Sequence, residues 1–237
     1  MLKHGATRLV IDEADFFEEV VSVKGARVVE LGCGKAAFSR KLLHRGIAGL
    51  VDAFEVDALQ HAANIAATPV AGLRFALAGA EAIPLPDRSR DVVVMLKSLH
   101  HVPMGLLDRA LAESARVLVD GGWLYVSEPV YAGDFNDIVK LFHDEGEVRA
   151  AAYAALRRAT DAGVLRWDRE IVFDTPLHFR DFDDFVDRIV RVTHSRIALD
   201  PAVEAEVRCR FARFQSTDGA HFVRRMRVNL LRPAALR

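Results

Sequence analysis

The stretch VVELGCGKAAFSR, residues 28–40, decides the fold. It passes from a β-rich run into a helical one through Gly32 and Gly34. A glycine lacks Cβ, so it takes positive φ freely and lets a ligand lie against the main chain. Between a strand and a helix, such a turn also aims free N–H groups and the positive helix end at an anionic group. Gly32, Gly34 and Ala37 match the spacing of a dinucleotide-binding turn, and Glu55 follows about 20 residues on, where an acid holds ribose hydroxyls. A pyrophosphate is one ligand that fits. Glu30, at the end of the strand before Gly32, would repel a pyrophosphate and favour a cationic group, an amine or a sulfonium.

Outward from this turn, strand-like runs occur at 26–31, 49–55, 73–77, 91–96 and 122–128. Helical patterns occupy 12–23, 37–45, 58–66 and 103–118, the last with Pro103 in its first turn and an apolar stripe of Leu107, Ala110, Leu111 and Leu118. Strand and helix in alternation require right-handed crossovers and a parallel sheet covered on both faces. The apolar run VVVML at 92–96 is what a central strand of such a sheet looks like.

From residue 130 the rhythm changes. Residues 134–163 read as two helices, 164–179 as a strand with a bend at Pro176, and 180–192 as a helix with Phe182, Phe185, Ile189 and Val192 on its inner face. One more helix over 201–214 and a closing strand over 221–233 complete the chain. The sequence shows no repeat, low-complexity tract or linker.

The segments VELGCGKA (29–36), AFEVD (53–57), AGAEAIPLPDRSRDVVVMLKSLHHV (78–102) and RVLVDGGWLYVSEP (116–129), in this order and spacing, resemble the class I S-adenosylmethionine-dependent methyltransferases. The likeness is to their small-molecule, type 11 branch. The resemblance implies a Rossmann-like, doubly wound α/β fold: a mainly parallel sheet of about seven strands with the last antiparallel. It also implies a helical insertion after the fifth strand. One domain then spans 1–237, with a cofactor-binding core at 26–129 and a substrate-side helical cover at 130–200.

The family's roles transfer to matching positions. Gly32, Cys33 and Gly34 would line the methionine and ribose portion of S-adenosyl-L-methionine, with Glu30 at its amino end. Glu55 would accept hydrogen bonds from both ribose hydroxyls. Val56 would pack on the adenine, Ala80 and Glu81 would border its edge, and Leu96 and Lys97 would present main chain to the methionine end. Two positions depart from the pattern. Ala36 stands where the family carries glycine, and Gly79 where many relatives carry an aspartate that reads the adenine amino group.

Methyl transfer from a sulfonium is an in-line displacement that rests on proximity, with a general base only where the nucleophile must lose a proton. The candidates for that base are His100 and His101 after the fourth strand and Glu128 and Tyr131 after the fifth, with His101 first. The residues read equally well without chemical duty: His101 as a packing or hydrogen-bonding residue, His100 as a solvent-side residue of the loop, Glu128 as part of a turn that shapes the pocket. Cys33 at a helix start invites a nucleophilic reading, but the LGCG form carries that cysteine without chemical duty. The acidic and histidine run at 143–147 reads as a solvated helix end, so no metal is expected.

Composition narrows the partners. The net charge of −1 provides no global field for nucleic acid or an anionic membrane. The LKSLHH segment lacks the Asn/Asp-Pro-Pro-aromatic signature of enzymes that methylate a flipped base. The arginines from Arg208 to Arg237 read as solvated side chains rather than an anion patch. Two cysteines, Cys33 and Cys209, exclude a disulfide framework. The expectation is a cytoplasmic protein, monomer or homodimer, with a small-molecule methyl acceptor. A catalytically silent binding or assembly subunit of the same fold, and an NAD-dependent oxidoreductase, are the alternative readings.

Overall fold

In the computed structural model, which describes residues 8–10, 12–191 and 199–234, strand and helix alternate as the patterning requires. In chain order the elements are β1 (Arg8–Leu9), α1 (Glu13–Val21), β2 (Ala26–Leu31), α2 (Ala37–His44), β3 (Ala48–Glu55), α3 (Ala58–Ala66), β4 (Leu73–Leu77), β5 (Arg90–Leu96), α4 (Leu107–Val117) and β6 (Leu118–Pro129). Then follow α5 (Asp134–Val139), α6 (Gly146–Asp161), β7 (Leu165–Phe179), α7 (Phe182–Phe185), α8 (Pro201–Ala212), β8 (Gln215–Ser216) and β9 (Gly219–Pro233).

The described residues form two compact units. The larger holds 12–128, 148–171 and 228–234; the smaller holds 8–10, 129–147, 172–191 and 199–227. In the larger unit the strand order is β7-β9-β6-β5-β2-β3-β4. Strands β2 to β6 pair in parallel and the closing strand is antiparallel. β2 lies between β3 and β5, so the connections leave it in opposite directions. The crevice outside its carboxyl end is the topological switch point at which open α/β sheets bind ligands.

Burial on both faces explains the apolar strands. Val28, Val29, Val92, Val93 and Val94 have no exposed surface, and β2 and β5 align Val28 with Val92 and Val29 with Val93. Helix α4 buries Leu107, Ala110, Leu111 and Val117 into this core. Helix α6 adds Ala152, Ala155, Leu156 and Ala159, packed with Leu165 and Leu231. This narrow stripe of small residues assigns 148–171 to the larger unit, although the sequence places them in the cover. In the smaller unit the core is aromatic: Phe135, Phe179, Phe182, Phe185, Phe211 and Phe222 surround one another. Val192, the last position expected on that apolar stripe, lies outside the described residues.

Pro176 does not end β7, which continues through it to Phe179. β1 pairs with Phe173 and Asp174, and the Val10 N–H donates to the Asp174 carbonyl at 2.8 Å. By strand alternation the N–H that Pro176 lacks would be the next donor toward β1, so the ladder between these strands stops there. The terminal arginines are bound locally: Arg208 to Glu204, Arg210 to Glu206 and Arg225 to Asp174.

A buried ion pair interrupts the apolar sheet. Asp52 of β3 and Arg90 at the start of β5 are 4% and 5% exposed. The Arg90 Nε–H donates to Asp52 Oδ2 at 2.8 Å, and Arg74, the β4 partner of Asp52 in register, donates to Oδ1 at 2.7 Å. Removing one partner strands the other in a medium that solvates it poorly. Asp52→Ala is therefore expected to lower unfolding free energy by about 3–5 kcal/mol in urea denaturation, whereas Asp52→Leu with Arg90→Met recovers most of that loss.

Candidate functional site

The chain leaves β2 under a steric constraint. At Gly32, φ is +71° and an added Cβ would lie 2.7 Å from the Ser98 Cβ. Ser98 Oγ donates to the Leu31 carbonyl at 2.7 Å, which fixes the end of β2 against the end of β5. The Gly32 and Cys33 N–H groups both donate to the Phe54 carbonyl at 2.9 Å. Gly34 has φ of +51°, and the space over its missing side chain is open to 4 Å.

Ala36 keeps the turn in glycine geometry. Its φ is +53°, it is fully buried, and its N–H donates to the Cys33 carbonyl at 2.8 Å. A left-handed conformation costs an L-residue about 1–2 kcal/mol, so the methyl group is carried as strain rather than by a changed path.

The two acids expected here have different environments. Glu55 is 7% exposed and accepts three main-chain N–H groups: Gly34 to Oε2 at 2.7 Å, and Val56 and Asp57 to Oε1 at 2.8 and 3.0 Å. It joins the glycine turn to the start of α3. Glu30 is 3% exposed and takes the Ser39 N–H at 3.2 Å together with the Ser39 hydroxyl. Glu30 thus caps the first turn of α2. Burial pushes its carboxyl up to about 7, against the Ser39 hydrogen bonds and the Lys97 charge, which lower it; Glu13 raises it further.

Among the other expected cofactor positions, Val56 stands out of the surface at 69% exposure. Ala80 turns its methyl into the core. The Glu81 carboxylate occupies the place a Cβ on Gly79 would take. The loop beyond them is held from α4: Glu113 accepts the Ile83 N–H at 3.0 Å, and Arg116 donates to the carbonyls of Ile83 and Leu85 at 2.8 Å. Leu96 is half-buried; Lys97 has φ of +55° and gives its N–H to the Ser127 carbonyl at 2.7 Å. Cys33 is buried beside Glu30 and Glu55, and both burial and those charges push its thiol up, which removes it as a nucleophile.

The two histidines lie in different environments. His100 is buried, its Nδ1 against Glu128 Oε2, while Glu128 Oε1 accepts the Leu99 N–H at 2.9 Å. His101 is exposed, with its ring centroid 4.1 Å from that of His100. A 3₁₀ turn over Leu99–His101 spaces successive side chains about 120° apart, so one histidine faces in and the next faces out. An ionised Glu128 only accepts, which makes Nδ1–H the donor. Tyr131 belongs to the smaller unit and donates its hydroxyl to Asp144 at 2.8 Å.

Asn64 is a member of the site that pattern reading missed. It is 4% exposed on α3, and its Nδ2 donates to the Gly34 carbonyl at 2.7 Å. A surface concavity of about 800 Å³ lined by Arg88, Arg116 and Asp161 lies at the amino ends of β5 and β6, the edge opposite the switch point. The glycine turn, Glu55 and the exposed Val56 are at the carboxyl edge, where this fold places its ligands.

Glu30 gives the larger unit a pH dependence. Its folded-state pKa of about 7 lies above the unfolded value, so the unfolded chain releases that proton first and stability falls as pH rises toward 7. Glu30→Gln is expected to exceed the wild type in unfolding free energy at pH 8 by up to roughly 3 kcal/mol, with the gap closing by pH 5. Denaturant titrations at the two pH values check this, and a gap independent of pH would remove Glu30 as its source.

A family model described as a methyltransferase domain matches residues 29–126. An uncharacterised methyltransferase of Mycobacterium tuberculosis is 34% identical over 98 residues, 41% of this chain and 37% of the relative. The fatty-acid O-methyltransferase of Mycolicibacterium smegmatis is 31% identical over 113 residues, 45% of this chain and 38% of the relative. The chain thus spans well under half the length of these curated relatives. Among solved structures, the YcgJ protein of Bacillus subtilis superposes with a TM-score of 0.64 at 15% identity, covering 94% of this chain and 98% of its own. The [4+2]-cyclase SpnF superposes at 0.60 and 17% identity, covering 94% and 81%. Among the described residues no helix is long and apolar enough to cross a membrane. Residues 29–126 thus match a methyltransferase domain, within a chain whose fold is that of the solved structures named above.

Proposed function

We propose that the protein transfers a methyl group from S-adenosyl-L-methionine to a small-molecule acceptor. The observation that carries this reading is the hydrogen bond from the Gly34 N–H to Glu55, which joins the close-approach turn and the ribose acid at the switch point. The open space over Gly34 fits a ligand lying on the main chain. In this reading Gly32, Cys33 and Gly34 line the methionine and ribose portion, Glu55 takes the ribose hydroxyls and Val56 packs on the adenine. Glu81 reads the adenine edge from the place that Gly79 leaves open. Glu30 acts from beneath, by fixing the start of α2. The bound cofactor supplies a methyl group on a sulfonium, with a good leaving group already in place. The chain's part is to hold the acceptor in line and exclude water.

Where the acceptor must lose a proton, the exposed His101 is the base, and the buried Glu128–His100 pair holds its turn. Glu128 then works through His100 rather than on the acceptor. The near-neutral charge and the LKSLHH segment support a small acceptor over a nucleic acid.

Calorimetric titration with S-adenosylmethionine, S-adenosylhomocysteine and NAD tests this reading. The two sulfur nucleosides are expected to bind and NAD is not; binding of NAD alone would overturn it. Glu55→Ala is expected to weaken S-adenosylhomocysteine binding by about 1–3 kcal/mol, the cost of losing a charged hydrogen-bond partner. An unchanged affinity removes Glu55 from the cofactor site.

A further inference from the structure

We propose that Asn64 is a positioning residue of the cofactor turn, holding the backbone dihedrals of Gly34 so that its N–H meets Glu55. The inference rests on the cofactor reading above and adds to it a residue that touches no ligand.

Helix α3 is unusual in what it buries. Among its described residues, the single buried side chain is Asn64, while Leu59 and Ile65 are 75% and 60% exposed. A helix docked for packing would turn its leucine and isoleucine inward. Asparagine is a poor helix former, and burying its amide is unfavourable unless both ends are bonded. Here both are. Nδ2 donates to the Gly34 carbonyl at 2.7 Å and lies 3.8 Å from Cys33 Sγ, while Oδ1 accepts from Gln60 Nε2 at 3.0 Å. The orientation of the amide follows from its partner, because a carbonyl only accepts and so must face the NH₂ end.

Gly34 is therefore gripped on both sides, the N–H of the peptide before it by Glu55 and the carbonyl of the peptide after it by Asn64. Gly34 has no side chain to fix its plane, and its φ of +51° is one of several that glycine can take. The two side chains supply the rigidity that the residue lacks. A change in the Gly34 dihedrals would turn its N–H away from Glu55 and remove one of the three N–H groups that orient the carboxylate. Asn64, by fixing the carbonyl side of Gly34, acts on the ribose acid through these dihedrals, which makes that effect depend on Glu55.

A double-mutant cycle read by calorimetry with S-adenosylhomocysteine tests the dependence. At a temperature where all variants are folded, Asn64→Ala is expected to weaken binding about tenfold in the wild type and by no more than about twofold in the Glu55→Ala background. In the ligand-free protein, Asn64→Ala should also speed amide hydrogen exchange at Gly34 relative to residues of β2. If Asn64→Ala fails to fold, Gln60→Ala carries the test. It leaves Asn64 in place without its orienting partner, and an expected loss of about threefold should vanish with Glu55→Ala. Equal losses in both backgrounds, or unchanged affinity, overturn the proposal. Binding that depends on Glu55 but not on Asn64 overturns this inference alone, whereas a wild type that binds no S-adenosylhomocysteine overturns the cofactor reading and this one with it.

Discussion

The approach of Gly32 to Ser98 is the constraint on which the rest of the site depends. A distance of 2.7 Å from a hypothetical Cβ to the Ser98 Cβ means that β2 and β5 end in contact closer than any side chain allows. With the chain held there, Phe54 of β3 gathers the next two N–H groups. The turn then has only one place to go, across the end of β3, where Glu55 stands. Ala36 shows how firmly the path is set. The backbone takes a left-handed dihedral at an alanine rather than shift the start of α2, and the strain is offset by burial and by the ladder of bonds around it.

The two acids at the carboxyl edge illustrate how position in a motif and role in a structure separate. Both close a strand and both are nearly buried. Glu55 accepts three main-chain N–H groups, one from Gly34 and two from Val56 and Asp57 just before α3. Glu30 points into the protein, where one serine supplies its hydrogen bonds and burial holds its carboxyl near neutrality in pKa. A carboxyl of that kind is an internal strut for α2. The resemblance places Glu30 at the ligand's amino end; within the chain its hydrogen bonds come from Ser39.

The fold was legible because its signals are local. Apolar runs and glycine positions set β2 over Ala26–Leu31 and β4 over Leu73–Leu77 at the expected limits, and α3 over Ala58–Ala66 likewise. Interactions across the chain were not legible. Asp52 and Arg90 are separated by 38 residues and read as unrelated charges until the sheet brings them together. His100 and His101 differ in sequence by one step, and only a 3₁₀ turn decides which of them is buried. Asn64 is a weak helix former within its helical run. Its partner Gly34 is 30 residues away, and no periodicity points from one to the other. The alanines of α6 carry little hydrophobic signal, although a close-packed helix face requires them.

The hydrogen-bond state of Glu55 bears on how the site binds. Its carboxylate offers about four acceptor positions, and main-chain N–H groups fill three of them. On the proposed cofactor reading, a ribose with two hydroxyls would have to replace or share one of those bonds, so the gain on binding would be a difference between two charge-assisted interactions rather than the value of two new ones. Such an exchange favours the ligand only if the carboxylate is already aimed. An untethered carboxylate would lose side-chain entropy at the moment of binding, while one held by three N–H groups has lost it on folding. On that reading the site would give up a little hydrogen-bond enthalpy for a carboxylate that need not be ordered again. The arrangement holds as long as Gly34 keeps its dihedrals.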